Sequence, residues 1–267
     1  MLVNSSKNIS ELVSLHGKSS LVTGSASGIG RAIALRFAEA GSNLELVDID
    51  LEGLKRVKEE ASKFNVKVNL HKVDLSSKKE IDALWSKLEG KEPDILVNNA
   101  AVYPFKDFLE IDEAFLEKIL AINLKSVFWM CQHMIKRRIN RGGVIINIGS
   151  IEAILPFENK LAHYTLTKAG VIALSRALAR EYGEKGFKVN VIIPGGIMTP
   201  GVEKSAKNLI EEKEDPQVHA QRFMARLPLG RFGDPDDVAR VALILASDLS
   251  SYVQGALIPV DGGFLSI

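Results

Sequence analysis

Thr23-Gly24-Ser25-Ala26-Ser27-Gly28-Ile29-Gly30 follows a short apolar run, Ser20-Leu21-Val22, and opens a pattern in which Ile29, Ala32, Ile33 and Phe37 share one helical face. The order is strand, glycine turn, helix. Glycine has no Cβ to hold a ligand away and a helix N-terminus favours an anion, so such a turn brings backbone N–H groups up to a phosphate. The spacing is Gly-x-x-x-Gly-x-Gly and not the Gly-x-Gly-x-x-Gly of the usual dinucleotide fingerprint. A tight turn whose glycines serve helix–strand packing fits the same eight residues, so the nucleotide reading depends on what lies outward from them.

The first support comes from Asn43 to Val47, an apolar alternating run that suits a second strand and ends at Asp48, 18 residues beyond Gly30. A carboxylate there can accept both hydroxyls of an adenosine ribose and would repel a 2′-phosphate. Capping of the next helix, Leu51 to Phe64, is the other role open to it, but Asp50 is better placed for that. The rhythm then repeats: a strand at Val66 to Val73, a helix at Lys78 to Leu88 and a buried strand at Ile95-Leu96-Val97. Strands alternating with helices imply a parallel sheet. Asn98-Asn99-Ala100-Ala101 leaves this strand with two amides that fit a packed turn or a cofactor edge equally well.

Asp112 starts a long helix through about Ile139, with Phe115, Ile119, Ile122, Phe128 and Met130 among its apolar positions and Asn123 interrupting that face. Gly143 to Ile148 forms a fifth strand, running into Gly149-Ser150. Leu161 to Gly183 is the next helix and contains Tyr164-Thr165-Leu166-Thr167-Lys168. The separation of four places tyrosine and lysine one turn apart on one face, where an ammonium would lower the phenol pKa towards neutrality. Such pairs are commonly surface pairs without chemistry, but this one follows a strand end bearing Ser150, at the sheet edge where α/β proteins bind ligands. Lys188 to Ile193 gives a sixth strand, and Leu257 to Val260 closes the sheet before Asp261-Gly262-Gly263. Gly201 to Leu229, rich in Glu and Lys, reads as a solvated helix or as a lid over the site. Asp234-Pro235-Asp236-Asp237 starts a helix running to about Ser247.

The 267 residues carry a formal net charge of +1, which argues against a nucleic-acid or anionic-membrane partner. One cysteine, Cys131, excludes an intrachain disulfide, and five scattered histidines show no metal-ligand spacing, so no metal is expected. The polar stretch Met1 to Lys18 reads as an N-terminal extension without a signal-peptide core, and no run reaches transmembrane length. The expectation is a cytoplasmic, single-domain protein.

These motifs, taken in order from Leu21 to Phe264, resemble the short-chain dehydrogenases/reductases. The resemblance is carried by Thr23 to Gly30, Asp74, Asn98-Asn99-Ala100, Asn123, Ser150, Tyr164 with Lys168, Pro194-Gly195 and Asp261-Gly262-Gly263. It implies a Rossmann-type α/β fold, a doubly wound parallel seven-stranded sheet with a helical substrate lid from about 199 to 229, usually in a homotetramer. It also implies an NAD(P)-dependent oxidoreductase. Residue by residue, Tyr164 would be the general acid/base, Ser150 would hydrogen-bond the reacting oxygen, and Lys168 would bind the nicotinamide ribose. Asn123 would support a water-linked proton relay. Cofactor contacts would come from Gly24, Ser27, Gly28, Ile29 and Gly30, from Asp48 on the ribose, from Asp74 and Leu75 on adenine, and from Asn99, Ile197 and Thr199.

Ser27 and Ile49 stand where NADP-using members commonly carry basic residues, so the expected cofactor is NAD. The expected reaction converts a secondary alcohol (alcohol, diol or sugar) and its ketone or lactone into one another. A non-catalytic dinucleotide sensor or a ketoacyl-type reductase are the alternatives. Candidate substrate contacts are Val102, Tyr103, Ile151, Glu152, Phe157, His163 and Met198. Two features depart from the family pattern: Ser150 precedes Tyr164 by one residue more than in most members, and Ala101 replaces the usual glycine.

Overall fold

Parallel pairing starts from the strand that carries the glycine turn. Ser19–Thr23 (β1) pairs with Asn43–Asp48 (β2) on one side and with Ile95–Asn98 (β4) on the other. Val68–Lys72 (β3) lies outside β2, while Gly143–Ile148 (β5), Phe187–Pro194 (β6) and Leu257–Val260 (β7) follow β4. The order is β3-β2-β1-β4-β5-β6-β7 with every pair parallel, a doubly wound Rossmann-type sheet. The chain winds outward in one direction from β1 and then in the other from β4. Between them the strand ends splay open, and ligands of such sheets bind in that crevice. The computed structural model describes residues 7–202 and 216–266.

Successive side chains of a strand point to opposite faces, and β1 shows the result. Val22 joins Ile33, Phe37, Leu44 and Leu46 beneath Gly28–Glu39 (α2), Leu51–Ala61 (α3) and Pro235–Ala246 (the helix before β7). Its neighbour Leu21 joins Val47, Ile81, Trp85, Leu96, Met130 and Met134 on the other face. That face is covered by Lys78–Lys87 (α4), Ser126–Arg138 and Ala162–Tyr182. Both faces of the strands are therefore apolar, which explains their continuous hydrophobic runs. A smaller cluster, Ile151, Val191, Ile193, Leu227 and Phe264, sits under the site.

Several boundaries differ from the sequence expectation. The helix expected from Asp112 to Ile139 is three pieces: Glu113–Leu120 (α5), a wide π turn at Ala121–Lys125, and Ser126–Arg138 (α6). Asp112 does cap it, its Oδ1 accepting from Phe115 N at 2.8 Å. Within the N-terminal extension, Ile9–Val13 forms a short helix closed by an Asn8–Glu11 capping box, and Leu15 is buried with its N–H on Ala40 O. Ala162–Tyr182 (α7) and the helix Pro235–Ala246, capped by Asp234 with Pro235 in its first turn, match their signals. Of the lid expectation, 203–215 lies outside the described residues, and Pro216–Met224 is helical. Among the described residues no helix is long and apolar enough to cross a membrane.

Candidate active site

The site begins at the β1–α2 turn. Gly24 and Gly28 have φ of +64° and +54°, a region that L side chains resist. A Cβ on Gly24 would come within 2.8 Å of both Ala100 Cα and Asn99 Nδ2, and one on Gly30 would collide with Gly24 O. Asn99 holds the turn: its Nδ2 donates to Thr23 O and Gly24 O, each at 3.0 Å. Thr23 Oγ1 accepts from Asn99 N and Ala100 N at 3.0 and 3.1 Å. The packing role left open for Asn99 is thus filled, and the residue also lines the cleft.

That cleft, of about 610 Å³, runs along the carboxyl ends of the strands. At one end it is lined by Gly24, Ser27, Gly28, Ile29, Asp48, Asp74 and Leu75. Asp48 accepts from Ala26 N and Asp50 N, both at 3.0 Å, while Asp50 itself caps α3 through Gly53 N. The capping alternative for Asp48 is therefore taken by its neighbour. Asp74 accepts from Ser76 N and Ser76 Oγ. Arg31 is paired with Glu60, and Arg56 lies 3.5 Å from Asp50, so these two nearby cations already face carboxylates.

At the other end β5 delivers Ser150, buried, with its Oγ accepting from Glu152 N at 3.2 Å. Across from it α7 presents Tyr164 and Lys168, and all three residues line the cleft. Lys168 is buried and its Nζ donates to Ile148 O at 2.7 Å, 5.7 Å from the Tyr164 ring centre. Burial pushes its pKa down to about 8. The expected lowering of the phenol pKa is corrected by this geometry. Burial raises Tyr164 above the usual tyrosine range, Tyr103 and Glu152 add to that, and only a hydrogen bond with Ser150 pulls the other way. One of the lysine's three donors goes to a main-chain carbonyl, and desolvation acts on both side chains at once.

Asn123 sits in the π turn and is fully buried. It accepts from Val102 N at 2.9 Å and donates to Val102 O at 2.7 Å, with Thr167 Oγ1 at 3.4 Å. It thereby fixes the loop after β4 that carries Val102 and Tyr103 into the cleft. Tyr103 lies 5.8 Å from Tyr164 between ring centres.

Of the other candidates, Ile151, Glu152, Ile197 and Thr199 line the cleft, whereas Phe157, His163 and Met198 do not. Phe157 is drawn down into an aromatic cluster with Phe223 and Phe264, at 5.5 and 5.4 Å. His163 is 3% exposed, bonds through Nε2 to Pro104 O at 2.8 Å and packs edge-on against Phe115. Met198 points to solvent, its N–H on Gly233 O. Residues not anticipated include Phe105, Glu158 and Phe223. Of these three, Glu158 had a usable signal, since it lies in the loop lengthened between Ser150 and Tyr164.

A family model described as enoyl-(acyl carrier protein) reductase matches residues 24–265. The chain is 38% identical over 261 residues to L-rhamnose-1-dehydrogenase of Scheffersomyces stipitis, covering 93% of this chain and 96% of that one. It is 35% identical over 254 residues to a 3-oxoacyl-(acyl-carrier-protein) reductase of Thermotoga maritima, covering 94% and 99%. A solved structure from Agrobacterium tumefaciens, provisionally described as a 2-deoxy-D-gluconate 3-dehydrogenase and holding NADP, superposes with a TM-score of 0.85 at 30% identity over 96% and 99% of the two chains. The chain belongs to the short-chain dehydrogenase/reductase family and is an oxidoreductase of that family.

Proposed function

We propose that this protein is an NAD-dependent oxidoreductase that interconverts a secondary alcohol (an alcohol, diol or sugar) with its ketone or lactone, with Tyr164 as general acid/base. The observation that carries the reading is the meeting of Ser150, Tyr164 and Lys168 at one end of a cleft whose other end holds a glycine cradle and Asp48. The cradle fits a pyrophosphate: Gly24 and Gly30 have no room for a Cβ, and Gly28 and Ile29 at the N-terminus of α2 line the cleft. Ser27, Gly28, Ile29 and Gly30 would hold the diphosphate, and Asp48 the adenosine ribose. Asp74 and Leu75 would flank adenine, with Asn99, Ile197, Thr199 and Lys168 towards the nicotinamide. The bound nicotinamide supplies the hydride acceptor or donor.

The chain's own groups then have a proton to move and an oxygen to orient. In oxidation Tyr164 Oη takes the hydroxyl proton, and in reduction it returns that proton to the carbonyl oxygen. Ser150 Oγ donates to the same oxygen. Lys168 would bind the nicotinamide ribose, and Asn123 holds the loop against which the substrate rests. The preference for NAD is supported by Asp48 lining the cleft and by the pairing of Arg31 and Arg56 with carboxylates. Exposed Phe128 on α6 and Leu166 on α7 support an interface with another copy, and the homotetramer is what the family resemblance implies.

A spectrophotometric screen over polyols, aldoses and apolar secondary alcohols tests the reading. NADH formation is expected with members of at least one class. Equal use of NADP would overturn the cofactor assignment, and no turnover with any class the reaction assignment.

A further inference from the structure

Among the described residues Glu152 is the one buried carboxylate that lines the reacting end of the cleft, at 7% exposure. It follows Ser150 by two residues on the turn Ile151–Ala153, and Tyr164 feels its charge. Its Oε2 accepts from Phe157 N at 3.1 Å and its Oε1 from Glu158 N at 3.2 Å. A carboxylate offers about four acceptor sites, so two remain, and the residue lines the cavity. No cation pairs with it among the described residues. Beside it the cavity wall carries Glu158, and among the described residues the only lining cation is Lys168, which gives one of its three donors to Ile148 O. Burying a carboxylate without a counter-charge is costly unless a ligand fills the free acceptor sites. Its two main-chain partners also fix its position, because they belong to the loop that is longer than usual before Tyr164.

We propose that Glu152 is the specificity-determining residue of this site, selecting uncharged polyhydroxylated substrates by accepting a hydroxyl next to the reacting carbon and repelling substrates with a carboxylate or phosphate there. This rests on the reading of Ser150 and Tyr164 as the reacting end. Burial, with a contribution from Glu158, pushes the Glu152 carboxyl above the usual range, so the repulsion weakens on acidification while pH is still moderate. Among the described residues, the titratable groups that act on it are Glu158 and Tyr164.

The test uses two matched ligand pairs, D-glucitol with D-gluconate and galactitol with galactonate, each differing only by a carboxylate in place of a terminal CH₂OH. Dissociation constants are measured by calorimetry on enzyme saturated with NADH, for wild type and Glu152→Gln. Wild type is expected to bind the polyol of a pair about tenfold or more tightly than the aldonate, and the variant to lose that ratio by gaining aldonate affinity. Because the glutamine can accept fewer loop N–H bonds, wild type is also titrated downward in pH. Aldonate binding should strengthen there and polyol binding hold steady. Equal or tighter aldonate binding by wild type, binding of neither polyol, or a ratio that survives both the substitution and acidification overturns the proposal. NADH formation from apolar alcohols without polyol binding would remove the role of Glu152 and leave the oxidoreductase reading standing.

Discussion

Asn123 and Val102 are joined by a closed pair of hydrogen bonds, Val102 N to Asn123 Oδ1 and Asn123 Nδ2 to Val102 O, at 2.9 and 2.7 Å. A side-chain amide thus completes the main chain of a loop that has no strand partner at that point. The pairing links the π turn to the cleft wall, so position 123 acts on the loop as well as on any proton path.

Asn123→Ala removes both partners of Val102 and is expected to cost about 1–3 kcal/mol, measured by urea unfolding. It should also raise KM, because Val102 and Tyr103 lose their anchor. An unchanged unfolding midpoint would show that the amide serves proton transfer alone.

Tyr164→Phe keeps the ring and removes the one hydroxyl placed to move a proton. Turnover is expected to fall by roughly 10²–10⁴, with the NADH dissociation constant unchanged. Because burial raises the phenol pKa in this structure, the oxidation rate of wild type should rise with pH well past neutrality. A flat profile between pH 7 and 9 would remove Tyr164 as the base.

Stability without added cofactor should also depend on pH. Lys168 titrates at about 8 when folded against 10.5 as its ordinary value, so across that window the unfolded chain binds the extra proton and folding stability rises with pH. Tyr164 works in the opposite sense, since its raised pKa makes stability fall once pH exceeds the ordinary tyrosine value of 10. The gain is therefore confined to pH 8–10, on the order of 1–3 kcal/mol, and Lys168→Met should flatten it. Chemical denaturation at pH 7.5, 9 and 10 reads the difference.

Asp48→Asn retains an acceptor for Ala26 N and removes the charge that would face a 2′-phosphate. The ratio of NAD to NADP efficiency should drop by about tenfold or more in steady-state assays. A preserved ratio would place the discrimination elsewhere along the cleft.

The sheet was legible because the strands are short, most of them are apolar and most are followed by a helix, so β1 to β7 could be counted along the chain. Capping residues were readable one at a time: Asp50, Asp112 and Asp234 each accept the N–H their position predicts. The π turn was not, because a wide turn is one extra residue within an otherwise helical pattern, and Asn123 breaking the apolar face was its only trace. The reacting residues Ser150, Tyr164 and Lys168 could be placed from strand end and helix spacing. The substrate wall could not. Phe157 and His163 sit between residues of the cleft in sequence, but their direction is set by Phe223, Phe264, Phe115 and Pro104, partners distant along the chain.

Asn99 binds Thr23 and Gly24 through main-chain oxygens, so the glycine turn is stapled to the loop after β4 without help from a ligand. Its shape is therefore preorganised. Association of a dinucleotide at this end needs little ordering of the protein, and more of the gross contact energy is retained as affinity.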